Sequence, residues 1–324
     1  MNEAVADRAV GVLLGTACGD ALGAGYEFGP PLASDVPVDM IGGGVFGFSP
    51  GEWTDDTSMA VCVAEAVAAG HDLRSSEGLD AVAAGFLRWF DSRPTDVGNQ
   101  TAAVLSSART RDANGLVAAA AHYFDHHPGG SAGNGSLMRT APVALAHLDD
   151  DPAAVAEAAV RVSRLTHADP ACGEACALWS VAIHHAVRHG TFDGVREGLG
   201  LLPAHRRTYW AGLLDEAEAK PPAHFVKNGW VVHALQAAWS AITHTPVPSS
   251  GDPAEHLRLA LETAVRGGRD TDTVAAIAGG LLGARWGGAA VPQRWRSALF
   301  GWPGYRADDL TRLALAAIGD QGEG

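Results

Sequence analysis

Hydrophobic positions along this chain recur at three- and four-residue intervals, and few segments show the period of two that a half-buried strand requires. Stretches rich in Ala, Leu and Val at 81–90, 153–165, 171–187, 230–242 and 257–265 carry this helical spacing. The pattern predicts an all-α protein of roughly ten or more helices, given the usual length of a helix. Several stretches are apolar nearly all round, as helices at the centre of a large bundle are. Gly and Ala crowd residues 11–25 and 275–284, a texture that lets two backbones approach closely. Asp150 and Asp151 ahead of Pro152 mark a helix start, with proline at the first helical position.

With 324 residues, 47% of them hydrophobic and 19% charged, the chain is long enough to bury one large core. No shift in composition forces a boundary, and the Pro, Ser and Gly stretch at 245–253 reads as a loop inside one unit. A single domain over residues 1–324 is expected. The formal net charge of −14 excludes a protein that holds nucleic acid through a broad basic surface, though not local contact with a modified base or a phosphate end. Cys18, Cys62, Cys172 and Cys176 lack zinc-site spacing and lie in apolar helical contexts, so they read as small reduced core residues. The start, MNEAVADRAVGVLLG, carries early acids and no basic n-region, which does not describe a signal peptide. The apolar runs at 175–187 and 274–286 are interrupted by Gly, His or Arg and are too short to span a bilayer. A cytoplasmic protein with no membrane partner is the expectation; oligomeric state is not legible.

Two segments stand out against this helical background. GEWTDDTSMA (51–60) and GGRDTDTVAA (267–276) each set two carboxylates among threonines just ahead of an apolar helical run. Asp and Thr also serve as N-caps and first-turn residues, which is the plain structural use of such a cluster. The clusters nevertheless hold more carboxylates than capping needs, and they recur in one format. Thr54, Asp55, Asp56, Asp270, Asp272 and Thr273 offer six hard oxygen ligand groups, suited to Mg²⁺ or Mn²⁺ and unsuited to a soft metal. Two clusters could hold two ions.

Together with five further blocks, these segments resemble the ADP-ribosylglycohydrolase family, which includes dinitrogenase reductase-activating glycohydrolases and ADP-ribosyl-acceptor hydrolases. The five are GVLLGTACGDALGAGYEF (11–28), RPTDVGNQT (93–101), GNGSLMRTAP (133–142), THADP (166–170) and NGWVVHALQAAWSA (228–241). The resemblance spans nearly the whole chain and implies a single compact multi-helix bundle with a binuclear metal site. One departure is Arg269, where the family often has a second Gly; it bears on substrate preference more than on metal binding.

The resemblance implies removal of ADP-ribose from a mono-ADP-ribosylated protein or a small-molecule conjugate, breaking a bond at the anomeric carbon through an oxocarbenium-like transition state. Two Mg²⁺ or Mn²⁺ ions on the six ligand residues would orient the ribose and polarise the reacting groups. Glu27 stands in the family's position for an acid that touches a metal or its water, and Asp96 in that of a general acid or base beside the scissile bond. Asp96 tilts the expectation toward an N-glycosidic arginine linkage, although it could instead cap a helix beginning near Val97. Gly133, Asn134, Gly135 and Ser136 form a loop whose backbone N–H groups suit diphosphate or ribose oxygens, with Met138 and Arg139 able to line it. Asn99 and His167 are further substrate-side candidates, and Trp230 could stack on substrate at a helix start. The alternatives are hydrolysis of O-linked ADP-ribose, from serine, poly-ADP-ribose or O-acetyl-ADP-ribose, and a non-catalytic ADP-ribose-binding protein on the same fold. A phosphatase or pyrophosphatase using the same metals would release phosphate or AMP.

Overall fold

Glycines spaced four residues apart set the centre of the molecule. In a computed structural model that describes residues 2–319, α1 (Glu3–Gly23) presents Gly11, Gly15, Gly19 and Gly23 to Gly283, Gly279, Ala275 and Asp272 of a second, antiparallel helix near the C-terminus. A β-carbon on Gly15 would stand 2.1 Å from the carbonyl oxygen of Gly279, and one on Gly279 would stand 2.0 Å from that of Gly15. Backbone therefore rests on backbone, a packing that any side chain would block. α1 is long and apolar enough to cross a membrane, yet most of it is buried as the core helix of this fold.

The remaining helices surround that pair. In chain order they are α2 (Asp55–Ala68), α3 (Ser76–Asp91), α4 (Asn99–Ser107), α5 (Ala113–His126), the short α6 (Val143–Ala146), α7 (Pro152–Ser163) and α8 (Pro170–His189). They continue with the short α9 (Gly194–Glu197), then α10 (Ala204–Ala219), α11 (Val231–Thr243), α12 (His256–Arg266), α13 (Thr271–Trp286), α14 (Gln293–Ala298) and α15 (Ala307–Gly319). α13 is the partner of α1; α8, α11 and α12 pack on α13, and α15 lies across α1 and α2. Among the described residues the strands are β1 (Phe300–Gly301) and β2 (Tyr305–Arg306), one antiparallel pair with Phe300 opposite Arg306.

The expected all-α class is the observed one, and the apolar stretches fall where the periodicity puts them. Two boundaries move. α7 ends at Ser163, short of the predicted 165, and Trp230 is the N-cap of α11 rather than its first turn. Asp151 caps α7 by accepting from Ala154 N–H at 2.9 Å, ahead of Pro152. The stretch at 245–253 is largely loop, and the four cysteines are buried and unpaired.

Candidate active site

The glycine seam ends where the carboxylates begin. At Gly23 a β-carbon would lie 2.4 Å from the Cα of Asp272, and the Thr271 hydroxyl donates to the Gly23 carbonyl at 2.9 Å. The last turn of α1 thus abuts the first turn of α13. Asp20, one turn back on α1, is fully buried and ties in the start of α2: it accepts from Thr54 N–H at 2.9 Å, Thr57 N–H at 2.9 Å and the Thr57 hydroxyl at 2.6 Å. A carboxylate borrowed from another helix satisfies the free first-turn amides of α2. Asp20 was missed in the sequence reading; its signal was a lone acid inside a glycine-spaced apolar helix.

Three helix ends now meet, and their acids converge. Carboxylate oxygens of Asp20, Asp56 and Asp272 lie within 4.8 Å of one another, as do those of Glu27, Asp270 and Asp272. The two triads share Asp272. Thr54 caps α2 weakly, accepting from Asp56 N–H at 3.5 Å, while its hydroxyl donates to Asp56 Oδ2 at 3.1 Å. Thr273 Oγ1 reaches the same oxygen at 3.5 Å. Asp270 sits at the N-cap of α13 but makes no capping bond; its Oδ2 instead accepts from the Asn134 amide at 2.8 Å. Capping alone therefore does not account for the second cluster. Asp55 stands outside both triads, accepting from Gly98 N–H at 3.3 Å.

Such crowding is costly for bare carboxylates. Burial, and after it the charges of Asp270, Asp96 and Asp55, push Glu27 up to about 9. Burial first and neighbouring acids second hold Asp55, Asp56 and Asp272 well above the usual carboxylate range, and burial raises Asp20 to about 6. Two buried carboxylate oxygens, Glu27 Oε2 and Asp56 Oδ1, have no hydrogen-bond partner. Orphaned acceptors among like charges fit a hard divalent cation, which would neutralise the acids and complete their coordination. Glu27, Asp56, Asp270 and Asp272 are the residues best placed to hold it.

Above the carboxylates opens a cleft of about 490 Å³. Glu27, Asp55, Asp96, Asp270, Asp272 and Thr273 line it together with Asn99, Gly133, Asn134, Gly135, Met138 and His167. Asp96 caps no helix: α4 begins at Asn99 behind Gly98, and Asp96, half-buried, is pushed up to about 6 by burial and by the charges of Asp20 and Asp270. Asp56 does not line the cleft, and Thr54 lines a smaller neighbouring cavity instead.

The loop after Gly133 departs in part from its expected role. Asn134 N–H is committed to the Gly229 carbonyl at 3.1 Å, so it is not free for a ligand, while Ser136 contributes no side chain to the cleft, its hydroxyl being buried against Ser163 Oγ at 3.0 Å. Trp230 is likewise not among the lining residues; its ring packs on His233, with centroids 5.1 Å apart. Arg139 does not line the cleft and, among the described residues, makes no ion pair with an acid. Fully buried, it lies over the Phe86 ring at 4.4 Å, donates to Thr166 Oγ1 at 2.6 Å, and is pushed down to about 10 by burial.

That bond fixes His167. Thr166 Oγ1 accepts from Arg139 and lies 2.7 Å from His167 Nδ1, tying the ring to the buried guanidinium. Burial and then Arg139 hold the ring neutral, its pKa well below the usual histidine range. Gly135 packs over it, since a β-carbon there would meet the ring at 3.1 Å. Sequence reasoning also missed Phe28, Phe46, Gln100 and Tyr123, all of which line the cleft. Phe28 is 61% exposed at φ 61°, paired edge-on with Phe46 at 6.3 Å. No local pattern announces these residues. Arg269 has φ 68° and bonds Phe28 N–H through its carbonyl at 2.6 Å, a left-handed backbone that explains why Gly suits this position.

Fold and site together define an all-helical hydrolase centred on buried carboxylates, and the comparisons agree. The profile of the ADP-ribosylglycohydrolase family matches residues 1–323. ADP-ribosylarginine hydrolase Tri1 of Pseudomonas putida is 31% identical over 90% of this chain and 74% of the relative. ADP-ribosyl-[dinitrogen reductase] glycohydrolase of Rhodospirillum rubrum is 30% identical over 92% of each. A solved structure titled ADP-ribosylglycohydrolase-related protein complex superposes with a TM-score of 0.74 at 30% identity, covering 98% of this chain and 99% of its own. The chain belongs to the ADP-ribosylglycohydrolase family, whose members are hydrolases acting on glycosyl bonds.

Proposed function

We propose that this enzyme removes ADP-ribose from the guanidinium nitrogen of an arginine side chain. The observation that carries the reading is Asp96: a carboxylate raised to about 6, lining the cleft with Asp55 and answering to no helix cap. A group titrating near neutrality suits proton transfer in both directions. As the C1–N bond of the ribose breaks, its electron pair goes to the departing guanidine. Water adds to the anomeric carbon, Asp96 takes its proton, and the same proton passes to the leaving nitrogen. The name of the Pseudomonas relative, an ADP-ribosylarginine hydrolase, supports this substrate class, and that of the Rhodospirillum relative supports an ADP-ribosylated protein as substrate.

Two Mg²⁺ or Mn²⁺ ions, when bound, would supply Lewis-acid orientation of the ribose hydroxyls. Glu27, Asp56, Asp270 and Asp272 would hold them, with Thr54, Asp55 and Thr273 completing the set. The chain's own contributions are positional. Asn134 pins Asp270 to the glycine loop, neutral His167 sits beneath that loop, and Phe28, Phe46 and Tyr123 offer ring faces for a base.

Release of free ADP-ribose from an arginine-modified protein and from a serine-linked peptide tests the reading. Metal-dependent release from arginine, lost by on the order of 10²-fold or more in Asp96→Asn, is the expected result. Release from serine alone, surviving Asp96→Asn but not Glu27→Gln, would transfer the chemistry to Glu27 and the O-linked class. Binding without any release would return the non-catalytic reading.

A further inference from the structure

We infer that a second, smaller cavity beside the cleft is the acceptor subsite, shaped to take an arginine side chain by stacking it on Trp302. This rests on the arginine reading above. The cavity measures about 240 Å³ and is lined by Trp53, Trp89 and Trp302 with Glu52. Asp55 and Asp96 line both this cavity and the 490 Å³ cleft, so the two spaces meet at these carboxylates. The bond to be broken has ADP-ribose on one side and the acceptor on the other. With the larger space carrying the glycine loop and the carboxylate floor, the acceptor falls to the smaller.

The chemistry of the smaller wall fits a guanidinium. That group is planar and cationic, stacks on aromatic faces and pairs with carboxylates. The Trp302 ring already carries one, Arg88, at 5.0 Å from its centre, and Arg88 is itself paired with Glu65. Trp302 is held in place because its carbonyl accepts from Trp53 Nε1 at 3.2 Å. Gly301 permits that approach, since a β-carbon there would stand 2.3 Å from the same nitrogen. Trp53 and Trp89 are buried and form the back of the wall, while Trp302 is half-buried. Glu52 and Asp96 outnumber Arg93, the one cation among the lining residues. A serine hydroxyl has neither the charge nor the plane to use such a wall, so the subsite selects for nitrogen-linked acceptors.

Trp302→Ala separates this inference from the reading beneath it. Expected is a KM for ADP-ribosyl-arginine raised about tenfold, the size of a cation–π contact, with the affinity for free ADP-ribose held. An unchanged KM with unchanged ADP-ribose affinity overturns the subsite and leaves the arginine reading standing. A wild-type enzyme inert toward arginine linkages takes both down. Should Trp302→Ala weaken ADP-ribose binding as well, Trp302→Phe decides: a restored KM supports stacking, and a KM that stays high overturns it.

Discussion

The glycine seam and the carboxylate floor lie end to end on the same two helices, and they are stabilised in opposite ways. Along the seam, α1 and α13 meet backbone to backbone at Gly11, Gly15 and Gly19, so dispersion and close packing do the work. At the floor the ends of these helices meet the start of α2 and the segment after α1, and acids gather without enough donors, leaving Glu27 Oε2 and Asp56 Oδ1 unpartnered. The seam needs no added group, whereas the floor holds acceptors that a cation would satisfy. A buried, uncompensated charge is tolerated where the surrounding packing forces it, and here the seam supplies that force.

Breaking the seam should have the largest effect. Gly15→Val puts side-chain carbon into the Gly279 backbone, which has no rotamer through which to yield. We expect a loss of about 3 kcal/mol or more, read as a collapse of the melting temperature. A variant that melts like wild type would show that the helices can part without cost.

Asp56→Asn sharpens the contrast from the other side. Removing one of the converging charges should raise the melting temperature in chelator while lowering Mg²⁺ affinity by at least about 10²-fold, since outer partners of a metal site alone contribute 10–100-fold. Calorimetry and thermal melts read the two effects separately. Unchanged Mg²⁺ affinity would remove Asp56 from the ligand set.

The smallest effect is the pH dependence of the metal-free protein. Glu27, raised to about 9, and Asp20, raised to about 6, bind protons more tightly folded than unfolded. Their protonated forms favour the native state fully below the unfolded carboxylate range, about pH 4. That contribution falls away as pH climbs through 6 and then 9. Melting in chelator should therefore drop across this interval, and Mg²⁺ should restore most at the alkaline end. A flat profile indifferent to Mg²⁺ would mean that the acids are already compensated.

Much of this was legible in one dimension. The three-and-four spacing of apolar residues predicted helices because that spacing is the helix's own geometry. The Gly and Ala texture of 11–25 and 275–284 predicted close approach because only a missing side chain permits it. The paired Thr and Asp clusters exceeded what caps require, and the excess was the signal. The side-chain directions of Trp230 and Ser136 were not legible, because a residue's position in a motif does not say which way its side chain faces. Trp230 turns to His233, and Ser136 turns inward to Ser163.

What only the tertiary structure decided is which groups meet. Asp20 looked like one polar residue in an apolar helix until the first-turn amides of α2 were brought to it. Phe28 and Tyr123 share a cleft although three whole helices, α2 to α4, and most of α5 separate them in sequence. The position of His167 depends on a buried arginine that reaches it through Thr166. Local sequence specifies backbone conformation through short-range sterics and periodicity, whereas the field, burial and hydrogen bonding at each carboxylate are sums over neighbours that only the folded chain assembles.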